Sequence, residues 1–444
     1  MTETDEQVSP VKKPTVEALR GPFFWLTAFY VVYCARPEDW IPMGATPLAK
    51  ITAIAAFLGL LMSAGKTQRS FKDLPKEAGY LLVLIGLLFV SGLLSPIWKG
   101  GAVSHTLDFS KVYVVWVLTF LLVTTVARLR RIIFIQTASV ALVAVVSIVK
   151  GHSLPRLAGV LGGIYGNPND LAFAMVLTLP FALMFMLTTK SVVRKLLWIA
   201  SMLAMAAALV LTASRAGFID VVIAGTVCLW HFGIKGKRYY LIAAAGLFGL
   251  LLLTVAGGTL KERFTALWSE DPDSQLANSA LSSVEAREFL MRRAVEGIEH
   301  YPVLGVGIRN FQEYSTIWHD VHMTYLQICV EGGIPVFILY LLFFRAGFVN
   351  LKKLRKRKDL DEETRLFVGA LHSTLIGFAV GALFAPEAYQ FFPYFTIAYT
   401  SALVAMLRER EKAAVPVKSL PGQDQVSAET YARNRTNDEL SYVR

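Results

Sequence analysis

Two arginines and a histidine stand out in this sequence, each placed where a charge or a proton is hard to hold. Arg215, within Ser214-Arg215-Ala216-Gly217, joins two apolar runs with almost no loop. It falls at or just inside a membrane boundary, where an arginine costs ~2.5–3.5 kcal/mol or more. Snorkelling to the interface or pairing with nearby Asp220 is the structural reading. The chemical reading is an external anion such as phosphate, which suits guanidinium geometry. Arg287 lies on a second candidate element. Ser282 and Glu285 read as a capping box that starts a helix. Arg287, Met291, Ala294 and Ile298 then follow at i, i+4, i+7 and i+11 on one face. That face is apolar except for Arg287, so Arg287 points at protein and needs an anionic partner. Arg292 and Arg293 fall on another face and meet solvent. His322 stands at the start of a further apolar run, after His319 and Asp320. A helix N-terminus disfavours its proton. A neutral imidazole at a water–membrane boundary suits a general base, or simply a hydrogen-bonded interfacial histidine. His319 and His322 have metal-ligand spacing, but no carboxylate or cysteine pattern completes a site.

Two further polar features flank these residues. Gly166-Asn167-Pro168-Asn169-Asp170 is a turn and N-cap signal at the mouth of an apolar run, and capping does not exclude substrate contact. Glu331 lies nine residues into the run after His322, about 13 Å along a helix. An intramembrane carboxylate is a functional candidate. It also adjoins Gly332-Gly333, where a broken helix would need satisfying.

The elements that must position these groups are membrane helices. The 444 residues are 55% hydrophobic and 17% charged, a balance that soluble domains do not sustain. Apolar runs predict an all-α polytopic bundle of about twelve spans, near 22–35, 47–64, 78–97, 112–127, 132–149, 168–188, 195–213, 216–233, 239–257, 323–344, 366–386 and 393–407. This divides the chain into a tail over 1–21, nine spans over 22–257, a long loop over 258–322 with an amphipathic helix, three spans over 323–407 and a polar, disordered tail over 408–444. The loop turns at Pro302 and at a Gly305-Val306-Gly307 bend. No cleavable signal peptide is apparent.

The net charge of +11 is no nucleic-acid signal, because the charges sit in short loops between apolar runs. With both termini inside, about nineteen Lys and Arg fall in inner loops and about seven in short outer ones. Loop 258–322 then lies outside, with Arg215, Arg287, His322 and the Asn-Pro-Asn-Asp turn on the same side. Cys34, Cys228 and Cys329 sit in apolar settings and read as small core residues. No Walker motif or nucleotide fingerprint occurs, which argues against ATP or a nucleotide-sugar as the energy source. A lipid-linked pyrophosphate, delivered through the bilayer, fits the position and the charges.

At these residues the sequence resembles the O-antigen ligase and O-antigen polymerase superfamily of bacterial integral-membrane glycosyltransferases. The resemblance covers roughly 160–345. It rests on Gly166-Asn167-Pro168-Asn169, on Ser214-Arg215-Ala216-Gly217, on Arg287 with Met291, Ala294, Pro302, Gly305 and Gly307, and on His322, Tyr325-Leu326 and Glu331-Gly332-Gly333. It implies glycan transfer from undecaprenyl pyrophosphate to an acceptor hydroxyl, inverting, without metal or other cofactor, on the periplasmic side of the inner membrane. It implies Arg215 and Arg287 on the pyrophosphate and His322 as base. Asn167, Asn169, Asp170, Ser214, Asn310, Tyr325 and Glu331 are the expected substrate contacts. Expected partners are the lipid-linked donor, a glycan, lipid A core or protein acceptor, the bilayer, and polysaccharide export and chain-length proteins. Polymerase, ligase and protein O-oligosaccharyltransferase stay open. A lipid-linked-glycan flippase is the reading from another class. Transporters of that kind often show repeated halves and charges at mid-membrane. Here no repeat is visible, and the polar residues crowd one interface.

Overall fold

The computed structural model describes residues 19–41, 47–63, 69–151, 157, 163–247, 249–250, 275–317 and 319–414. Most of the expected N-terminal tail, part of the expected ninth span, residues 258–274 of the long loop and most of the C-terminal tail lie outside the described residues. The chain is all-α, with no strand among the described residues. The helices are α1 (Arg20–Ala35), α2 (Leu48–Met62), α3 (Lys76–Leu94), α4 (Lys99–Leu122), α5 (Val126–Gly151), α6 (Pro168–Thr188), α7 (Val192–Leu211) and α8 (Arg215–Leu229), followed by α9 (Gln275–His300), α10 (Phe311–Ser315), α11 (Thr324–Lys356), α12 (Glu362–Gly381) and α13 (Phe391–Ala414). Residues 240–247 and 249–250 are also helical. Residues up to Val404 form one compact unit, and the described part of a second, 405–414, is helical. Eight helices are long and apolar enough to cross a membrane among the described residues: α3 to α7, α8 with its continuation to Ile234, α11 and α12. The chain is therefore a multi-pass membrane protein.

Helix bounds depart from the apolar runs where a helix carries charge. The fourth run was expected from 112, yet α4 starts at Lys99. His105, Asp108 and Lys111 ride on its exposed first turns, with Lys111 and Asp108 paired. α11 likewise continues past its apolar part to Lys356. Charge ends an apolar run without ending a helix.

The interval between α8 and α11 has a small core of its own. Leu290 and Ala294 of α9, Val306, Phe311 of α10, Val321 and Val330 are buried together. Here two expectations are corrected. α9 is already helical from Gln275, so Ser282 and Glu285 lie inside it and are not its cap. The buried stripe runs through Leu290 rather than Met291, which is 43% exposed. At 3.6 residues per turn, Leu290 lines up with Arg287 and Ala294 just as well, and burial in this shared core decides between them.

α11 is two helices joined at a break, and the break is what docks the loop. Gly333 has φ 80 and ψ 172, outside helical values, and Pro335 has no N–H to give the Glu331 carbonyl. The Ile334 N–H donates instead to the Pro302 carbonyl at 2.8 Å. The carbonyls thus released are taken by the loop. The Val306 N–H donates to Val330 and the Gly307 N–H to Glu331, both at 2.9 Å. Ser91 of α3 donates to the Leu304 carbonyl and Ser95 to the Val306 carbonyl. The Ile334 N–H and the Val330 and Glu331 carbonyls therefore all find partners, as a buried break requires. A Cβ on Gly333 would lie 2.3 Å from the Val303 carbonyl oxygen, at a φ that L side chains rarely adopt. Gly333→Ala is expected to cost about 1–3 kcal/mol or more, read as a lower unfolding temperature of the purified protein in detergent. A wild-type unfolding temperature would mean that the loop does not dock at this break.

Candidate active site

The two segments that lead into α6 and α8 form one joint. Asn167 caps α6, its Oδ1 accepting the Asn169 N–H at 2.9 Å. Ser214 caps α8, its Oγ accepting the Gly217 N–H at 3.1 Å. The same Ser214 hydroxyl donates to Asn169 Oδ1 at 2.8 Å. A Cβ on Gly217 would lie 2.7 Å from Ala172 Cβ, so α8 meets α6 at glycine distance. Asn167, Asn169 and Ser214 therefore hold the start of α8 against the start of α6. Arg215 is the first residue beyond that joint.

Arg215 does not pair with Asp220. Asp220 faces α12, with Gly381 and Gly377 packed close to its carboxylate, and neither oxygen has a hydrogen-bond partner. Arg215 instead acts electrostatically on Arg287, across from it on α9. Burial, and then the positive charge of Arg215, lower the Arg287 pKa. Arg287 Nε is buried without a hydrogen-bond partner, and neither arginine has a carboxylate partner among the described residues. Arg292 is exposed and pairs with Glu288, as expected. Arg293 differs from expectation. It lies over the Tyr314 ring, 4.8 Å from its centroid, and donates to the Tyr314 carbonyl.

His322 completes the group. Its Nδ1 is buried with no hydrogen-bond partner among the described residues. Its pKa is pushed down to about 4, by burial first and by Arg287 next, with Asp320 opposing. The cause thus differs from the helix terminus expected, because α11 begins only at Thr324. Two guanidinium groups and an imidazole whose proton is disfavoured lie within electrostatic reach of one another, and the positive charges lack a counter-ion among the described residues. Such a site can hold a polyanion and take a proton from a hydroxyl beside it.

An acidic cluster adjoins this group; the sequence pointed to Asp170, Asp320 and Glu331 but not to Arg309 or Glu387. Arg309 pairs with Asp320 at 2.8 Å, and Gln312 Nε2 donates to the other Asp320 oxygen at 3.0 Å. Asp170, Glu331 and Tyr389 also lie within electrostatic reach of Arg309. Despite burial, which opposes it, Asp320 and Glu331 hold the Arg309 pKa up. Glu387, from the turn between α12 and α13, faces Asp170, and burial followed by that carboxylate pushes its pKa well up. Both Glu331 oxygens are fully buried and lack a partner in hydrogen-bond geometry among the described residues, though Tyr389 and Arg309 lie beside them, so this side chain does not satisfy the break in α11. The loop backbone does that. The signals for Arg309 and Glu387 were slight: a basic residue beside a glycine bend, and a lone carboxylate in a short turn after a proline.

Asn310 and Tyr325 both make structural hydrogen bonds, while Asn310 Oδ1 is buried without a hydrogen-bond partner among the described residues. The Asn310 amide donates to Ser95 Oγ at 2.8 Å, to the Val306 carbonyl at 3.0 Å and to the Trp98 carbonyl at 3.1 Å. The Tyr325 hydroxyl donates to the Ala379 carbonyl at 2.8 Å, tying the start of α11 to the end of α12. Thr324 Oγ1 binds the same region, donating to the Ala385 carbonyl and accepting the Glu387 N–H.

Residues 200–341 match the O-antigen ligase family. The match runs from within α7 into α11 and contains Arg215, Arg287, His322 and Glu331, while Asn167, Asn169, Asp170 and Glu387 lie outside it. A comparison with curated proteins yields no match. The family implies an enzyme that transfers lipid-linked glycans.

Proposed function

We propose that this multi-pass membrane protein, through its O-antigen ligase domain, moves a glycan from undecaprenyl pyrophosphate to an acceptor hydroxyl in surface polysaccharide assembly. The observation that carries the proposal is the pair Arg215 and Arg287, which have no counter-ion among the described residues, set beside the imidazole of His322. The pyrophosphate lies between the two guanidinium groups. The acceptor oxygen attacks the anomeric carbon while the bond from that carbon to the pyrophosphate oxygen breaks. The electron pair leaves with undecaprenyl pyrophosphate, whose growing charge the arginines offset. The hydroxyl proton passes to His322. Direct displacement inverts the anomeric centre, and the guanidinium groups supply the charge stabilisation for which a metal ion could otherwise serve. Asn167, Asn169 and Ser214 set the position of Arg215, and Asp170 and Glu331 bring carboxyl groups to the acceptor side. Asn310 and Tyr325 support the fold around both.

The distribution of basic residues supports both termini in the cytoplasm and the site at the periplasmic face of the inner membrane, within a bundle of about twelve spans. Polymerisation of repeat units or ligation to lipid A core is preferred to protein O-glycosylation, which uses the same chemistry. The test is the purified protein in proteoliposomes with a short undecaprenyl-pyrophosphate-linked oligosaccharide, read by mass. A ladder of longer lipid-linked glycans identifies a polymerase. Single-step transfer once lipid A core or a peptide is added identifies a ligase and its acceptor. Movement of the lipid-linked glycan across the bilayer without any covalent product overturns the proposal in favour of transport.

A further inference from the structure

A second site lies away from these residues, on the flank where α5, α6 and α7 meet. A groove of about 660 Å³ runs along α5 from Arg130 to Val145. Its floor is recessed by four alanines, Ala138 and Ala141 of α5 with Ala200 and Ala204 of α7. Its wall is rigid. Phe185 and Trp198 stack at 5.0 Å, and Phe134 meets Trp198 edge-on at 5.5 Å. α7 is the least enclosed of the eight membrane-crossing helices, so this flank faces the bilayer. Fifteen residues of helix make the groove roughly 22 Å long, on the scale of an acyl chain.

One end of the groove is charged. Arg130 and Arg194 both line it there. Arg130 pairs with Glu363 at 2.5 Å, whereas Arg194 has no ion-pair or hydrogen-bond partner among the described residues. Arg131, Lys190 and Lys195 are close by in sequence and carry further positive charge to that end. Arg194 is in the first turn of α7, and Arg215 follows the far end of the same helix. About 30 Å of helix separates them, the thickness of a bilayer core. The charged end of the groove thus lies at the membrane boundary opposite Arg215. A phosphate there cannot belong to a lipid whose pyrophosphate sits on Arg215.

We propose that this groove binds an anionic phospholipid, with its phosphate at Arg194 and Arg130 and one acyl chain along the alanine floor. Basic pockets between membrane helices recognise lipids in this way. A zwitterionic headgroup would bring its own cation to an end that already has an excess of them.

The test uses the full chain in detergent, titrated with phosphatidylglycerol or with phosphatidylcholine of the same acyl composition, and counts bound lipid by native mass spectrometry. The wild type should keep one phosphatidylglycerol and release phosphatidylcholine. Arg194→Gln, at an exposed position, should weaken retention about fivefold, the effect of one basic residue near a headgroup. Ala204→Phe should fill the floor and abolish it. Equal retention of both lipids by the wild type overturns the proposal, as does unchanged phosphatidylglycerol binding in Arg194→Gln with Ala204→Phe. Preferential uptake of a polyprenyl phosphate over phosphatidylglycerol at equal concentration also overturns it.

Discussion

Arg287→Ala is expected to lower glycan transfer about 100- to 1,000-fold, the usual effect of removing one preorganised donor from a developing anion. The protein should still insert and fold, because Leu290 and Ala294, not Arg287, carry the contact of α9 with the loop core. Arg215→Ala should do the same from the other side. The two losses should not add in the double variant, since both arginines act on a single pyrophosphate. Arg287→Lys should recover part of the rate, as it restores the charge without the planar fork. The measurement is initial rate in proteoliposomes at matched protein incorporation. Near-normal transfer in Arg287→Ala would remove the pyrophosphate role. Tolerance of that variant would also favour transport or a scaffold, neither of which needs an unpaired inward arginine.

The second large effect is on His322. Its replacement by alanine should reduce transfer about 100- to 10,000-fold, the range for a positioned general base. The pH profile adds a sign. Only neutral imidazole accepts a proton, and burial with Arg287 puts the His322 pKa at about 4 in the free protein. kcat/KM should therefore be insensitive to His322 above about pH 5 and fall as pH drops through 4. Bound pyrophosphate brings negative charge, which favours imidazolium, so the acidic limb of kcat should lie at higher pH. Arg287→Ala removes a positive neighbour and should move the limb of kcat/KM upward as well. A limb that stays in place in His322→Ala, or a rate close to wild type, would assign the base elsewhere. Glu387 and Asp170 would be the next residues to replace.

Membrane class was legible in the sequence, and Arg215, Arg287 and His322, the residues proposed for the chemistry, stood out there for the same physical reason. A bilayer forces long apolar runs on any chain that crosses it, so an arginine or histidine at the edge of a run is conspicuous without any structure. The break at Gly332-Gly333 was legible too, because the glycine pair and the Pro335 that follows it cannot continue a helical ladder. What such patterns do not carry is the partner of each group. Arg215 lies close to Asp220 in sequence, yet it faces Arg287, because Ser214 and Asn169 lock the start of α8 against α6 and turn Asp220 towards α12. The buried side of α9 was one residue off, since Leu290 and Met291 serve a helical period equally and only burial in the shared core selects between them. Glu331 read equally as a functional carboxyl and as a support for the broken helix; the backbone N–H groups of Val306 and Gly307 take the second task, and its carboxyl has no hydrogen-bond partner among the described residues. Arg309 and Asp320 come from one loop, Asp170 and Glu387 from two distant stretches, and no local spacing links the three. Local pattern decided which groups are costly to bury. Close approach at glycine and the docking of one loop into one broken helix decided which of them meet.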